Sequence, residues 1–343
     1  MQAQYGGRSS VCKINTIDSL ETMLMCLMLD YQLVKAFAAV LDEGGFARAA
    51  EKLCITQSAV SQRIKQLEEA LGRALIIRDS PPRSTEAGEQ LLRHYRQVRE
   101  LEDETLGAIS SRPTDHRALV SVAVNTDSLF VWFMDAIMSF AKSSDLAFEV
   151  LVAGHERTIE MLKSGAVAGC VSSDRNAVEG CTATRIGTLR YAVVASADYA
   201  ATWFSRGFAR EAAEKAPVVN LDRNDKLQYQ TLYQAFGEPQ VVPPAHYIPI
   251  ADAYYGAIKA GLGYGLVPEI KAARDLASGA LLNLDERLRP EIALYWHRWK
   301  YQTELLAELT KAVIEEGGRL LGEAVPKGLA AKGKRPGASA GKA

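Results

Sequence analysis

FARAAEKLCITQSAVSQRIKQLEEALG, residues 46–72, holds two helical patterns joined by the short turn Cys54-Ile55-Thr56. In the first pattern Phe46, Ala49, Ala50 and Leu53 share a face, and the small alanines let another helix approach closely. In the second, Thr56 can cap the helix through its hydroxyl. Val60, Ile64, Leu67 and Leu71 then recur at the three-and-four spacing that buries one side, and Gly72 ends the run. The opposite side carries Ser58, Ser61, Gln62 and Lys65 as a polar stripe, with Gln57 at its leading end, Arg63 beside it and no acid before Glu68. Phosphates and base edges require this chemistry: an amide pairs bidentately with adenine, a hydroxyl serves base or backbone, and a helix start offers free N–H groups to a phosphate. A solvated helix face is the alternative, but such faces mix Glu with Lys, as Glu68 and Glu69 begin to do further along. A helix, a turn and a polar-striped helix in that order predict a DNA-reading helix-turn-helix, with Thr56, Gln57, Ser58, Ser61, Gln62 and Lys65 as contacts.

Outward from this core, Leu33, Phe37, Val40 and Leu41 put a preceding helix over 31–41, which Asp42-Glu43-Gly44-Gly45 stops. Downstream, Ala74-Leu75-Ile76-Ile77-Arg78 reads as a strand, Asp79-Ser80-Pro81-Pro82-Arg83 as a tight turn and Ser84-Thr85-Glu86-Ala87-Gly88 as a helix cap. The turn is a wing whose flanking Arg78 and Arg83 reach DNA backbone or minor groove, or else are plain surface charges. From Thr85 to about Ser110 one long helix carries Leu91, Tyr95, Val98 and Leu101 on a stripe. Left open in a monomer that stripe is costly, so pairing between two subunits is expected; packing on the chain's own second half is the alternative. Ser110-Ser111-Arg112-Pro113 breaks the helix as a linker.

After residue 118 apolar strand-like runs alternate with amphipathic helices, which predicts parallel α/β sheets. Strands are expected at 119–124, 148–152, 167–171, 193–196, 218–221 and 265–267, with helices at 129–141, 156–163, 227–236 and 252–259. A return through Ile292-Ala293-Leu294-Tyr295-Trp296 and a last helix near 303–321 suggest two lobes joined by crossing strands, with a ligand held between them at strand C-termini. Asn125-Thr126-Asp127-Ser128 lies at such a strand end. Its N–H groups and the hydroxyls of Thr126 and Ser128 suit an amino acid's carboxylate, and Asp127 suits its ammonium group. Asp222 and Asp252 are the acids expected to meet a cationic side chain. All six residues read equally as helix caps.

The 343 residues allow two or three domains, and 48% apolar with 24% charged residues at net charge −1 describe an ordinary soluble chain. Cys12, Cys26, Cys54, Cys170 and Cys181 show no metal spacing, which fits free thiols in a reducing compartment. Cys54 is expected to be a small buried residue, with a redox-sensitive thiol as the alternative. The apolar run 23–29 is too short for a signal peptide and lacks a cleavage site, and no stretch is long enough to span a bilayer, so no membrane partner is expected and the working place is the cytoplasm, at the nucleoid. Met28 reads as the natural start. His94, His116, His155, His246 and His297 are isolated, and Gly261-Leu262-Gly263-Tyr264-Gly265 lacks the dinucleotide order, so neither catalytic nor metal residues are assigned.

The quoted stretch followed by ALIIRDSPPRSTEAG at 74–88 resembles the DNA-binding segment of LysR-type transcriptional regulators almost position by position. Within that family LCITQSAVSQRIKQLE, the Pro-Pro-Arg wing, AVNTDSL at 123–129, KAPVV at 215–219 and LYWHR at 294–298 are similar to the lysine- and arginine-responsive members, so the likeness runs from about Leu29 to about Gly322. The resemblance implies an α/β protein overall: an N-terminal winged helix-turn-helix, a long linker helix and a two-lobed α/β effector domain like that of periplasmic binding proteins. The expected division is an extension at 1–27 that is disordered or not native, a reader at 28–84, a linker and dimerisation helix at 85–113, an effector domain at 114–324 and a basic disordered tail at 325–343. Lobe I takes about 114–190 and 292–324, and lobe II about 191–291. The resemblance further implies a homodimer or tetramer on double-stranded promoter DNA, contact with RNA polymerase, no cofactor beyond lysine or arginine as effector, and a basic amino-acid exporter gene as target. A nonspecific nucleoid- or origin-binding protein and a transporter's solute-binding protein are the rival readings; the second needs an export signal and no DNA stripe.

Overall fold

The computed structural model describes residues 29–109, 118–142, 146–223 and 225–322. The expected extension, the Ser110–Pro113 break and the basic tail lie outside the described residues. The chain divides into two compact units, one ending at Val98 and the other starting at Arg99.

In the first unit α1 (Tyr31–Asp42), α2 (Phe46–Leu53) and α3 (Gln57–Leu71) form a three-helix core. Asp30 caps α1 by accepting from the Gln32 amide at 2.8 Å, and Thr56 caps α3 by accepting from the Ala59 amide at 3.1 Å. Val34, Phe37, Val40, Ala49, Val60 and Ile64 are fully buried. Leu71, expected on the buried stripe, is 41% exposed, because the last turn of α3 projects past the core before Gly72 turns left-handed at φ 66°. The wing pairs β1 (Ile76–Ile77) with β2 (Arg83–Ser84), Ile76 opposite Ser84. Glu68 accepts from the amides of Leu75 at 2.7 Å and Ile76 at 3.3 Å, so a residue grouped by sequence with the solvated face ties α3 to the wing.

The helix α4 (Glu86–Ile109) starts where Thr85 donates to the Ala74 carbonyl at 2.8 Å and accepts from the Gly88 amide at 3.1 Å. Gly88 permits a close approach: a Cβ there would stand 2.3 Å from the Leu75 carbonyl oxygen. The first turn of α4 therefore lies on Leu75, the residue before β1, and on Phe37. Leu91 and Tyr95, expected on a stripe open to a second subunit, are each 8% exposed and belong to this unit's own core. Among the described residues of α4, the large apolar side chains left open are Leu101, Leu106 and Ile109.

The second unit is two lobes. Lobe I holds β3 (Ala118–Val124), a helix made of a turn at Thr126–Ser128, a π-helical segment at Leu129–Phe133 and α5 (Met134–Ala141), then β4 (Leu146–Val152), α6 (His155–Lys163) and β5 (Gly169–Ser172). The 16-residue β6 (Cys181–Ser196) crosses into lobe II, which holds α7 (Ala197–Trp203), α8 (Arg210–Ala213), β7 (Val218–Asn220), α9 (Leu227–Phe236), β8 (Ala245–Tyr247), α10 (Ala251–Lys259), β9 (Gly265–Pro268), α11 (Glu269–Ala277) and β10 (Leu281–Asn283). β11 (Glu291–Trp299) returns to lobe I, and α12 (Glu304–Leu321) packs there with α5.

The sheets are mixed rather than all parallel. β3 runs parallel to β4 and β5, whereas β11 is antiparallel to β5 and β6, and the second half of β6 is antiparallel to β9 and β10. The cause is geometric. Each lobe's own strands point their C-terminal ends at the other lobe, so a strand arriving from that lobe enters against them. Only the first part of β6 pairs with β11, ending with Arg190 opposite Glu291; Tyr191, the next residue, opposes Pro268 of β9. The chain thus changes lobe between 190 and 191. Trp132, Phe133, Trp296 and Val313 fill one face of the lobe I sheet, and Leu162, Cys170 and Trp299 the other.

Candidate functional site

On α3 the residues Gln57, Ser58, Gln62 and Lys65 are exposed and Ser61 is half-buried, while Val60, Ile64 and Leu67 on the far side are buried. The polar stripe therefore faces outward as one edge. Thr56, also exposed, bonds the Ser58 hydroxyl at 2.9 Å besides capping the helix. Lys65 lies 3.6 Å from Glu69, both well exposed, a surface pair that releases its charge at a cost of about 1 kcal/mol or less. In the wing Arg83 pairs with Asp79, and the Arg78 guanidinium sits 5.7 Å from the ring centre of Phe46. Both arginines are exposed, and both have partners within the protein. Cys54, expected to be buried, is exposed with φ at 54°, because it ends α2 in the left-handed conformation that closes the turn.

The second cluster forms where the strand ends of the two lobes meet. Asn125 and Ser128 are buried, Thr126 and Asp127 half-buried. The Tyr191 hydroxyl, at the lobe crossing, donates to Asp127 Oδ2 at 2.6 Å. Burial drives the Asp127 carboxyl from its ordinary 3.8 up to about 6; the Tyr191 bond opposes this, and the charge of Asp225 adds to it. Asp225 comes from lobe II and is itself raised, first by burial, although it accepts from the Leu227 amide at 3.0 Å. Thus two carboxylates from opposite lobes sense each other. Around them Asn125 Oδ1, Ser128 Oγ, Asn220 Oδ1 and both amide atoms of Gln228 are buried without a hydrogen-bond partner in the protein. Buried polar atoms of this kind are rare in a folded chain unless they serve a ligand or water.

Of the two acids assigned to lobe II, Asp222 is exposed and accepts from the Asp225 amide at 2.9 Å, and Asp252 is exposed in the first turn of α10. The acid drawn inward is the half-buried Asp225, which sequence reasoning missed: in Asp222-Arg223-Asn224-Asp225 both acids look like caps of the next helix. Asn220 and Gln228 were missed too, since a strand end and a helix start carry amides for many reasons. Among the histidines, His297 is buried with Nε2 2.7 Å from the Asp174 carbonyl oxygen, and His94 meets the Tyr31 hydroxyl at 3.0 Å. Among the described residues no group of three metal-type ligands occurs, and no helix is long and apolar enough to cross a membrane.

Comparison with known proteins matches both halves of the chain. Residues 31–89 match the bacterial regulatory helix-turn-helix protein, lysR family, and residues 114–318 match the LysR substrate binding domain. The HTH-type transcriptional regulator ArgP of Photobacterium profundum is 38% identical over 287 residues, covering 84% of this chain and 96% of its own. The crystal structure of ArgP from Mycobacterium tuberculosis superimposes with a TM-score of 0.78 at 35% identity, over 85% of this chain and 99% of that one. Full-length LysG from Corynebacterium glutamicum with bound effector Arg gives a TM-score of 0.73 at 30% identity, over 85% of this chain and 99% of that one. Matched in both halves, and similar over most of its length to regulators of this kind, the chain belongs to the LysR family of bacterial helix-turn-helix transcriptional regulators.

Proposed function

We propose that this regulator binds arginine or lysine between the lobes of its second unit, and that the amino acid modulates reading of a promoter by α3, the target being a basic amino-acid exporter gene. The observation that carries the effector reading is the polar set at the lobe junction: the half-buried Asp127 and Asp225 from opposite lobes, with the buried, unpartnered atoms of Asn125, Ser128, Asn220 and Gln228 in the same segments of chain or next to them. An amino acid with a cationic side chain answers this set. Its carboxylate meets the N–H groups and hydroxyls at Thr126–Ser128, its ammonium group meets Asp127, and its side-chain cation meets Asp225. Arginine bound to LysG, which is 30% identical, supports the same class of ligand here.

On the DNA side, Gln57, Ser58, Ser61, Gln62 and Lys65 enter the major groove, and Thr56 addresses the backbone beside them. Arg78 and Arg83 release their partners to reach phosphate or minor groove. Two copies pair through the exposed part of α4, from Leu101 onward with Val98 at its border, and a tetramer forms from two such pairs. The role is binding, without a catalytic step, in the cytoplasm at the nucleoid, with RNA polymerase as the further partner. Fluorescence anisotropy on DNA selected by the protein from a random pool, with and without arginine and lysine, tests the reading. Selected DNA is expected to bind about a thousandfold or more tighter than random DNA, with either amino acid changing that affinity. Equal affinity for all DNA, or no response to either amino acid, refutes the corresponding half.

A further inference from the structure

Phe130 follows the Asn125–Ser128 segment by two residues and lies in the π-helical stretch at the start of the lobe I helix. Its ring reaches lobe II. The Lys271 ammonium of α11 stands 4.0 Å from the Phe130 ring centre, and the Tyr255 ring of α10 meets it edge-on at 6.2 Å between centroids. The receiving surface is itself cross-linked. The Tyr255 hydroxyl donates to Asp275 at 2.5 Å, and Lys259 lies 2.8 Å from the same carboxylate, which fastens α10 to α11. Phe130 and Lys271 are each half-buried, so the contact is partly withdrawn from water and the cation–ring attraction is less screened than on an open surface.

We infer that Phe130 is an inter-lobe clasp: by seating its ring against Lys271 and Tyr255 it holds the two lobes in their present arrangement and so sets the affinity of the site between them. The inference rests on the effector reading above only in its last clause; the clasp itself is a statement about the lobes. Three geometric features carry it. The clasp sits on the segment bearing Asp127, so any shift of Asp127 toward a ligand moves Phe130. A π-turn supplies the extra residue that aims a side chain out of helical register. The partner helices are fixed to each other, so the ring meets a rigid seat.

The test is hydrogen–deuterium exchange on the full-length protein without any amino acid, for the parent, Phe130→Ala, Lys271→Gln and the double variant. Exchange at the lobe-facing amides of α10 and α11 is expected to rise about three- to tenfold in either single variant, with little further change in the double, as for two halves of one contact. Exchange in β3 and β5 is expected to stay as in the parent, which separates an opened clasp from general loosening, and Phe130→Tyr should restore the parental pattern. Arginine titration then reads the second clause, with Phe130→Ala expected to bind about tenfold more weakly. Parental exchange in Phe130→Ala, or equal effects in lobe I and lobe II, overturns the clasp. Lys271→Gln, at a half-exposed position, tests the same contact if Phe130→Ala folds poorly. If the parent binds neither arginine nor lysine while the exchange contrast holds, the effector reading falls and the clasp stands.

Discussion

Replacing Asp127 by Asn is expected to move two properties in opposite directions. Burial holds this carboxyl at about 6 where 3.8 is ordinary, which makes its ionisation in the folded protein cost about 3 kcal/mol. Between those two values the folded chain binds more protons than the unfolded one. The stability Asp127 contributes is therefore present below 3.8 and lost as pH rises through about 6. Asparagine never ionises and can still accept from the Tyr191 hydroxyl, which now stands 2.6 Å from the carboxylate. At pH 7.5, above both values, Asp127→Asn should accordingly be more stable than the parent by up to about 3 kcal/mol, with the gain shrinking toward pH 4. Arginine affinity should fall at the same time. A charge-assisted contact is worth about 1.5–3 kcal/mol, so the dissociation constant should rise about tenfold to a hundredfold, and parental binding should itself weaken below pH 6 as the carboxyl takes up its proton. Urea unfolding at several pH values, with isothermal titration calorimetry of arginine, reads both. A variant less stable than the parent at pH 7.5, or one that binds arginine with parental affinity, would refute the reasoning.

Gly88→Ala places a methyl 2.3 Å from the Leu75 carbonyl oxygen and should cost about 2–3 kcal/mol, seen as a lowered melting temperature of the N-terminal unit; an unchanged transition contradicts the close approach. Glu68→Ala leaves the Leu75 and Ile76 amides without their carboxylate and should cost about 1–2 kcal/mol, with a parallel loss of DNA affinity because the wing is no longer tied to α3. Intact DNA binding in that variant would show that the tie does not position the wing.

The helix-turn-helix was legible because its residues satisfy local rules together: Thr56 caps, Val60 and Ile64 bury, Gly72 ends, and Gln62 and Lys65 are left outside. Long-range contacts were not legible. Nothing near Leu91 and Tyr95 in the sequence announces that they join the core of the first unit, where the Tyr31 ring stands 6.3 Å from that of Tyr95, since the close seating of α4 depends on the absent side chain of Gly88. Only the last four residues of β6 were expected as strand, because its first ten residues carry Thr182, Thr184, Arg185, Thr188 and Arg190 on a sheet that tolerates polar side chains there. Gly187 in that stretch looks like a strand breaker, yet it makes room for Leu321 of α12, whose Cβ a methyl would approach to 2.5 Å. The antiparallel entry of β11 follows from a change of lobe that periodicity does not encode. Asn125–Ser128 could be singled out as a strand end, but its partner Asp225 is brought in from 98 residues away by the fold of lobe II.

The most direct measurement is anisotropy of the Ser61→Ala/Gln62→Ala double variant on DNA that the parent selects from a random pool, beside the same titration on random DNA. Both side chains lie on the outward edge of α3, so the variant should unfold like the parent. Its affinity for selected DNA should drop by about a hundredfold or more toward the random-DNA value, while random DNA, held through phosphates, binds as before. Undiminished preference for the selected sequence in a variant that folds normally would contradict the assignment of this edge to the major groove.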